Sequence, residues 1–110
     1  MTHPRPILHV ISGLRTGGAE TMLVALCRAL TARGLPQHVV SLTAGGPNQP
    51  VLERIGVTVH GLAPGGLVGS GLTVVALARL IRRLKPAVLQ GWLYHGDLFA
   101  ALAHRLAGAP

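Results

Sequence analysis

"ILHVISGLRTGGAETMLVALCRALTARGL", residues 7–35, decides the fold. It opens on an apolar run rich in β-branched residues, 7–11, closed by Ser12-Gly13, which reads as a buried strand. A loop with Gly13, Gly17, Gly18, Arg15 and Glu20 follows. Over 19–33 the residues Leu23, Leu26, Cys27 and Leu30 then recur at i, i+3, i+4 and i+7, the spacing of a helix face, and Gly34 supplies a stop. Glu20 near the start, with Arg28 and Arg33 toward the end, suits the helix dipole.

The pattern continues outward from this unit. "QHVVSLT" (37–43) predicts a second strand, 44–50 a loop, 51–55 a short helix and 57–62 a third strand. A Gly-rich linker (63–71) leads to a helix over 72–84, where Arg79, Arg82 and Arg83 share one face. A fourth strand over 87–92 and a last helix from about residue 95 to 106 complete the chain. No internal repeat is present. Apolar strands alternating with helices predict an α/β fold: a Rossmann-like parallel sheet of about four strands, flanked by helices on both faces and joined by right-handed crossovers.

With 110 residues, 49% of them apolar and 12% charged, the chain suits one small folded domain rather than disorder or two domains. Ten Lys and Arg against Glu20, Glu53 and Asp97 give a net charge of +7, which favours anionic partners. Cys27 is the sole cysteine, which excludes an intrachain disulfide, suits a reducing compartment and reads as a small buried hydrophobe. No stretch reaches the roughly 18 apolar residues of a membrane span, and the start is too interrupted for a signal peptide. A cytoplasmic protein is expected, with peripheral contact at the inner membrane face as the further option. His3, His9, His38, His60 and His104 show no metal-ligand spacing, so no metal site is expected. One Trp, one Tyr and one Phe leave no stacking platform for nucleic acid.

In an open parallel sheet, ligands bind beyond the carboxyl ends of the strands, and a glycine loop entering a helix lets backbone N–H groups approach an anion. Gly13 and Gly18 have the outer spacing of a Walker loop, but Ala19 and Glu20 stand where its Lys and Ser/Thr belong. The spacing G-x-x-x-G-G also fails the dinucleotide fingerprint, and the second strand ends "SLTAGG" with no acidic residue for a ribose.

The remaining pattern, "SGLRTGGAETML" followed by a helix ending "RGL", resembles the N-terminal domain of the family-4 retaining glycosyltransferases of the GT-B fold. "RLIRRLKPAVLQGWLYHGDLFAALAHRLAGAP" (79–110) looks like a second block of the same family, so the likeness covers nearly the whole chain. It implies that residues 1–110 are part of an N-terminal, acceptor-side Rossmann-like domain. The donor-binding C-terminal domain, with its E-x₇-E motif, does not occur among them, so this chain alone is expected to be inactive.

The same resemblance implies that Gly17 and Gly18 lie beside the diphosphate of a nucleotide-sugar donor. Arg15, Glu20, Trp92, Tyr94 and His95 would then line the acceptor or cleft side, and no catalytic residue falls in this chain. The donor is a substrate, no cofactor is needed and metal-independence is expected; the acceptor is a glycan, lipid or small molecule. Each residue also has a plainer reading. Arg15 suits a solvated loop, Glu20 and Asp97 suit helix N-termini, and Trp92 suits packing. Arg79, Arg82 and Arg83 suit either an anionic membrane or the C-terminus of their own helix. The rival function is a non-catalytic anion- or membrane-surface-binding α/β module.

Overall fold

A computed structural model of the chain describes residues 5–11, 17–42, 46–61, 71–92 and 105. It contains β1 (Ile7–Ile11), α1 (Gly18–Ala32), β2 (Gln37–Ser41), α2 (Asn48–Ile55), β3 (Thr58–Gly61), α3 (Gly71–Leu84) and β4 (Val88–Trp92). All strand pairs are parallel, in the order β3-β2-β1-β4. The expected Rossmann-like α/β arrangement is therefore present. Of the helix expected over 95–106, Arg105 alone is among the described residues, and it is helical.

Strand alternation sorts the core into two layers. Leu8 and Val10 of β1, with Val40 and Leu42, meet Leu77, Ala78, Leu80 and Ile81 of α3 on one face. Ile11 and Val39 meet Leu23 and Cys27 of α1, and Leu52 of α2, on the other. Removing each of these larger side chains from water contributes about 1.5–3 kcal/mol, which is what holds helices of modest length to the sheet. β1 is central and buried on both faces, which explains its almost unbroken apolar run.

Helix ends follow local chemistry. Gly34 takes φ +79°, and the N–H groups of Gly34 and Leu35 return to Thr31 O and Leu30 O at 2.9 and 3.1 Å. Gly56, at φ +104°, ends α2 in the same way, with Gly56 and Val57 donating to Glu53 O and Leu52 O, both at 3.1 Å. These paired bonds need a left-handed residue, which glycine supplies without a Cβ penalty. Arg33 caps α1 rather than joining its last turn, which carries no cation, so only Glu20 matches the dipole as expected.

Boundaries of α1, β3, α3 and β4 shift by one residue from the sequence expectation, and two others shift further. α2 begins at Asn48, not at residue 51, because Pro50 sits in its first turn, where an amide N–H has no helical acceptor to lose. β2 stops at Ser41, although Leu42 N still donates to Ile11 O at 2.9 Å.

Candidate functional site

The order β3-β2-β1-β4 contains one reversal. From β1 the chain steps outward through β2 to β3, then crosses by α3 to the opposite side of β1. Connections on the two sides of such a point diverge, opening a crevice at the carboxyl ends of the central strands. Here that reversal falls between β1 and β4, where Ile11 pairs with Trp92. The segment leading into α1 and the segment after Trp92 both start from this edge.

Gly17 is the N-cap of α1, with extended backbone at φ −177° and ψ 175°. Its carbonyl accepts from Thr21 N at 3.0 Å and Thr21 Oγ1 at 2.8 Å. Glu20, in the first turn, folds its carboxylate back over Gly17. A Cβ on Gly17 would lie 2.8 Å from Glu20 Oε1 and 3.3 Å from its Cδ. The missing side chain of Gly17 thus has an intramolecular reason, the close approach of a carboxylate that complements the dipole of α1. Gly18 is different: it is exposed, and a Cβ there would meet nothing within 4 Å. Nothing within the described chain requires glycine at that position.

Trp92 is partly buried against the α1/α2 layer, and its indole N–H donates to His9 Nδ1 at 3.1 Å. Since indole only donates, His9 Nδ1 is the acceptor and Nε2 carries the proton, which it donates to Gln37 Oε1 at 3.0 Å. Gln37 Nε2 in turn donates to Cys27 O and Thr31 Oγ1, each at 2.9 Å. This relay joins β4, β1, β2 and α1 with all its polar atoms satisfied. Burial holds the His9 pKa below its ordinary value, partly offset by the bond to Gln37. Cys27 lies fully buried beneath it, and desolvation pushes its thiol up to about 11, so it is no nucleophile.

The α3 face carries a second polar group. His38 of β2 and His60 of β3 stack at 5.2 Å between ring centroids, with Nδ1 and Nε2 2.9 Å apart. Both pKa values are lowered, first by burial. For His60 the next causes are His38 and then Arg83; for His38 it is Arg83. Arg79, Arg82 and Arg83 are all exposed on α3.

Of the residues expected at a cleft, Gly17, Gly18 and Glu20 lie at the start of α1 and Trp92 ends β4 beside Ile11; Arg15, Tyr94 and His95 lie outside the described residues. The role of His9 and Gln37 beneath Trp92, and the His38–His60 pair, were missed. Their partners stand 22 to 83 positions apart, and no local pattern announces them. Among the described residues no group of three or more His, Cys, Asp or Glu converges to hold a metal.

Two solved structures share the fold. The conserved protein TT1542 from Thermus thermophilus superposes with a TM-score of 0.65 at 23% identity, over 94% of this chain and 58% of its own. GalB, the 4-carboxy-2-hydroxymuconate hydratase from Pseudomonas putida, gives 0.55 at 15% identity, over 91% of this chain and 55% of its own. The chain therefore spans less than two thirds of either protein, and at such identities the likeness concerns architecture, which does not fix activity. No curated protein matches it at a significant level. Residues 16–110, by contrast, match the sequence profile of Glycosyltransferase Family 4, a stretch that begins one residue before Gly17 and takes in β4 and all that follows. Covering well over half of the sequence, that match decides what the fold alone leaves open: the chain belongs to Glycosyltransferase Family 4.

Proposed function

We propose that the chain is the acceptor-side, N-terminal domain of a retaining glycosyltransferase that moves a sugar from a nucleotide-sugar donor to a glycan, lipid or small-molecule acceptor. The observation that carries this reading is the position of Gly17 and Gly18 at the head of α1, the helix that follows the central strand β1 in the chain. In transfer, the bond from the anomeric carbon to the diphosphate breaks while a bond to the acceptor oxygen forms. Negative charge gathers on the departing nucleoside diphosphate. Preorganised amides at a helix N-terminus stabilise such charge without reorganising. Gly18, exposed and with open space at its Cβ position, would let the phosphates approach closely.

In this reading Arg15, Glu20, Trp92, Tyr94 and His95 form the acceptor side of the cleft. Trp92 offers its ring rather than its N–H, which His9 already accepts. In this reading the nucleotide is bound by a second domain of the kind the family resemblance implies, which completes the site. No cofactor is required and no metal is invoked. The protein acts in the cytoplasm; among the described residues no helix is long and apolar enough to cross a membrane.

A second reading, contact with an anionic membrane surface, is favoured by the exposure of Arg79, Arg82 and Arg83 on one helix. It is compatible with transfer to a lipid acceptor.

The test is a transfer assay with a panel of labelled nucleotide sugars and acceptors. It compares the chain alone with the chain fused to the donor-binding domain of a family-4 enzyme. Transfer by the fusion, lost on Gly18→Ala, with none by the chain alone, is the expected result. Turnover by the chain alone would overturn the two-domain reading, and a fusion that binds donor but gains nothing from this chain would overturn its acceptor-side role.

A further inference from the structure

On the face of the sheet opposite α1, a groove of about 420 Å³ runs between α3 and the edge strand β3, lined by His60, Gly61, Ala76, Arg79, Leu80 and Arg83. Its size is within the range of small-molecule sites. Arg79 and Arg83 stand four residues apart on α3, so their side chains leave the same helix face and reach the groove together. Gly61 and Ala76 keep the space between strand and helix open. His60 forms part of the wall, and His38 supports it from β2 through the 2.9 Å bond.

The charge in this groove is of one sign. Among the described residues no carboxylate lines it. Glu20 and Glu53 belong to α1 and α2, which cover the other face, and Asp97 lies outside the described residues. Among the described residues, the charged or titratable groups around the pair are Arg83, which acts on both rings, Arg79, which lines the groove with His60, and the two imidazoles themselves, from β2 and β3. Two arginines lining one groove from the same helix, with the His60 imidazole on its strand side, make a donor set suited to a tetrahedral oxyanion with several oxygens to share.

We propose that this groove is a phosphate site, distinct from the glycine loop, which binds inorganic phosphate or the phosphomonoester of a larger molecule between Arg79, Arg83 and His60. An anion here would relieve the mutual repulsion of the two guanidiniums and favour the charged imidazole. Binding and proton uptake at the His38–His60 pair are therefore linked, each strengthening the other. The inference does not depend on glycosyl transfer, since it concerns the opposite face of the sheet.

The experiment is a titration of the 110-residue chain with inorganic phosphate, followed through the ring C–H resonances of His38 and His60 by NMR. Saturable shifts are expected, with the titration midpoints of both rings moving upward when phosphate is bound. Arg79→Ala and Arg83→Ala are exposed changes that leave the core intact, and each should weaken binding by about tenfold. Arg28→Ala, an equal change of charge on α1, should leave affinity within about twofold. Vesicles of phosphatidylcholine with and without phosphatidic acid identify the source. Capture by phosphatidic acid that needs Arg79 and Arg83 marks a lipid headgroup, whereas response to free phosphate alone marks a soluble ligand. Unmoved ring resonances at high phosphate, or shifts that survive both arginine substitutions, would overturn the proposal.

Discussion

Gly17 and Gly18 are adjacent, yet alanine should move stability in opposite directions at the two positions. Gly18 is the first residue of α1, exposed, and a methyl group there would have nothing within 4 Å. Alanine forms helix better than glycine by up to about 1 kcal/mol in a helix interior, partly by restricting the unfolded chain, and by about half that at a first position. With an unfolding entropy of about 2.1 cal/mol/K per residue, each kcal/mol shifts the Tm of a chain this size by about 4 °C, so Gly18→Ala should gain about 2 °C. At Gly17 the new methyl would meet Glu20 Oε1 at 2.8 Å. The carboxylate ends a flexible side chain and will swing aside, losing a dipole interaction of about 0.3–1 kcal/mol. Alanine is also a poorer N-cap than glycine. Together these cost about 1 kcal/mol, or about 4 °C. Thermal unfolding by circular dichroism of both variants, Glu20→Ala and the Gly17→Ala/Glu20→Ala double variant checks this. Because the penalty at residue 17 acts through the carboxylate, the double variant should be more stable than the sum of the single changes implies, by about 0.5 kcal/mol. A loss above about 1 kcal/mol at Gly18, or strict additivity at 17 and 20, would refute the reasoning. A stable Gly18→Ala fold also makes any loss of donor binding a report on the ligand.

Gln37→Leu removes the acceptor of a fully buried histidine N–H while leaving Thr31 within reach of water. One orphaned donor costs about 1–3 kcal/mol, so Tm should fall by about 4–12 °C; an unchanged Tm would show the relay to be incidental. Trp92→Phe frees His9 Nδ1 to take a proton, so the His9 pKa should rise from its depressed value when followed by NMR, and a further fall would contradict the tautomer assigned. His9, His38 and His60 all have lowered pKa values in the fold. The unfolded chain therefore binds protons first, so stability is full above about pH 6.5 and is lost as pH falls through the folded values. The urea midpoint should drop between about pH 8 and pH 5, and a flat or rising midpoint would contradict burial of these rings in neutral form.

Much of the architecture was legible because it is local. The β-branched run at 7–11, the 3.6-residue spacing of Leu23, Cys27 and Leu30, and the glycine at 34 each specify an element or its end without reference to the rest of the chain. Pro50 misled the start of α2 because a proline reads as a break, although the first turn tolerates it. The glycine loop was legible as an anion-binding candidate, but the reason for Gly17 was not: the close approach of Glu20 depends on rotamer and backbone together. The Trp92–His9–Gln37 relay and the His38–His60 stack depend on strand order and register. A one-residue slip would send each ring to the other face. Those are tertiary facts, and residue spacing along the chain does not encode them visibly.

The central claim is that the head of α1 receives a nucleoside diphosphate. Its most direct test is a titration of the ¹⁵N-labelled chain with UDP and GDP, reading the backbone amides of Gly17 and Gly18. The account predicts saturable movement of both amides, weak because one domain supplies only part of the site, and diminished in Gly18→Ala while the fold is retained. Amides of Gly17 and Gly18 that stay fixed while other resonances move to saturation would contradict it.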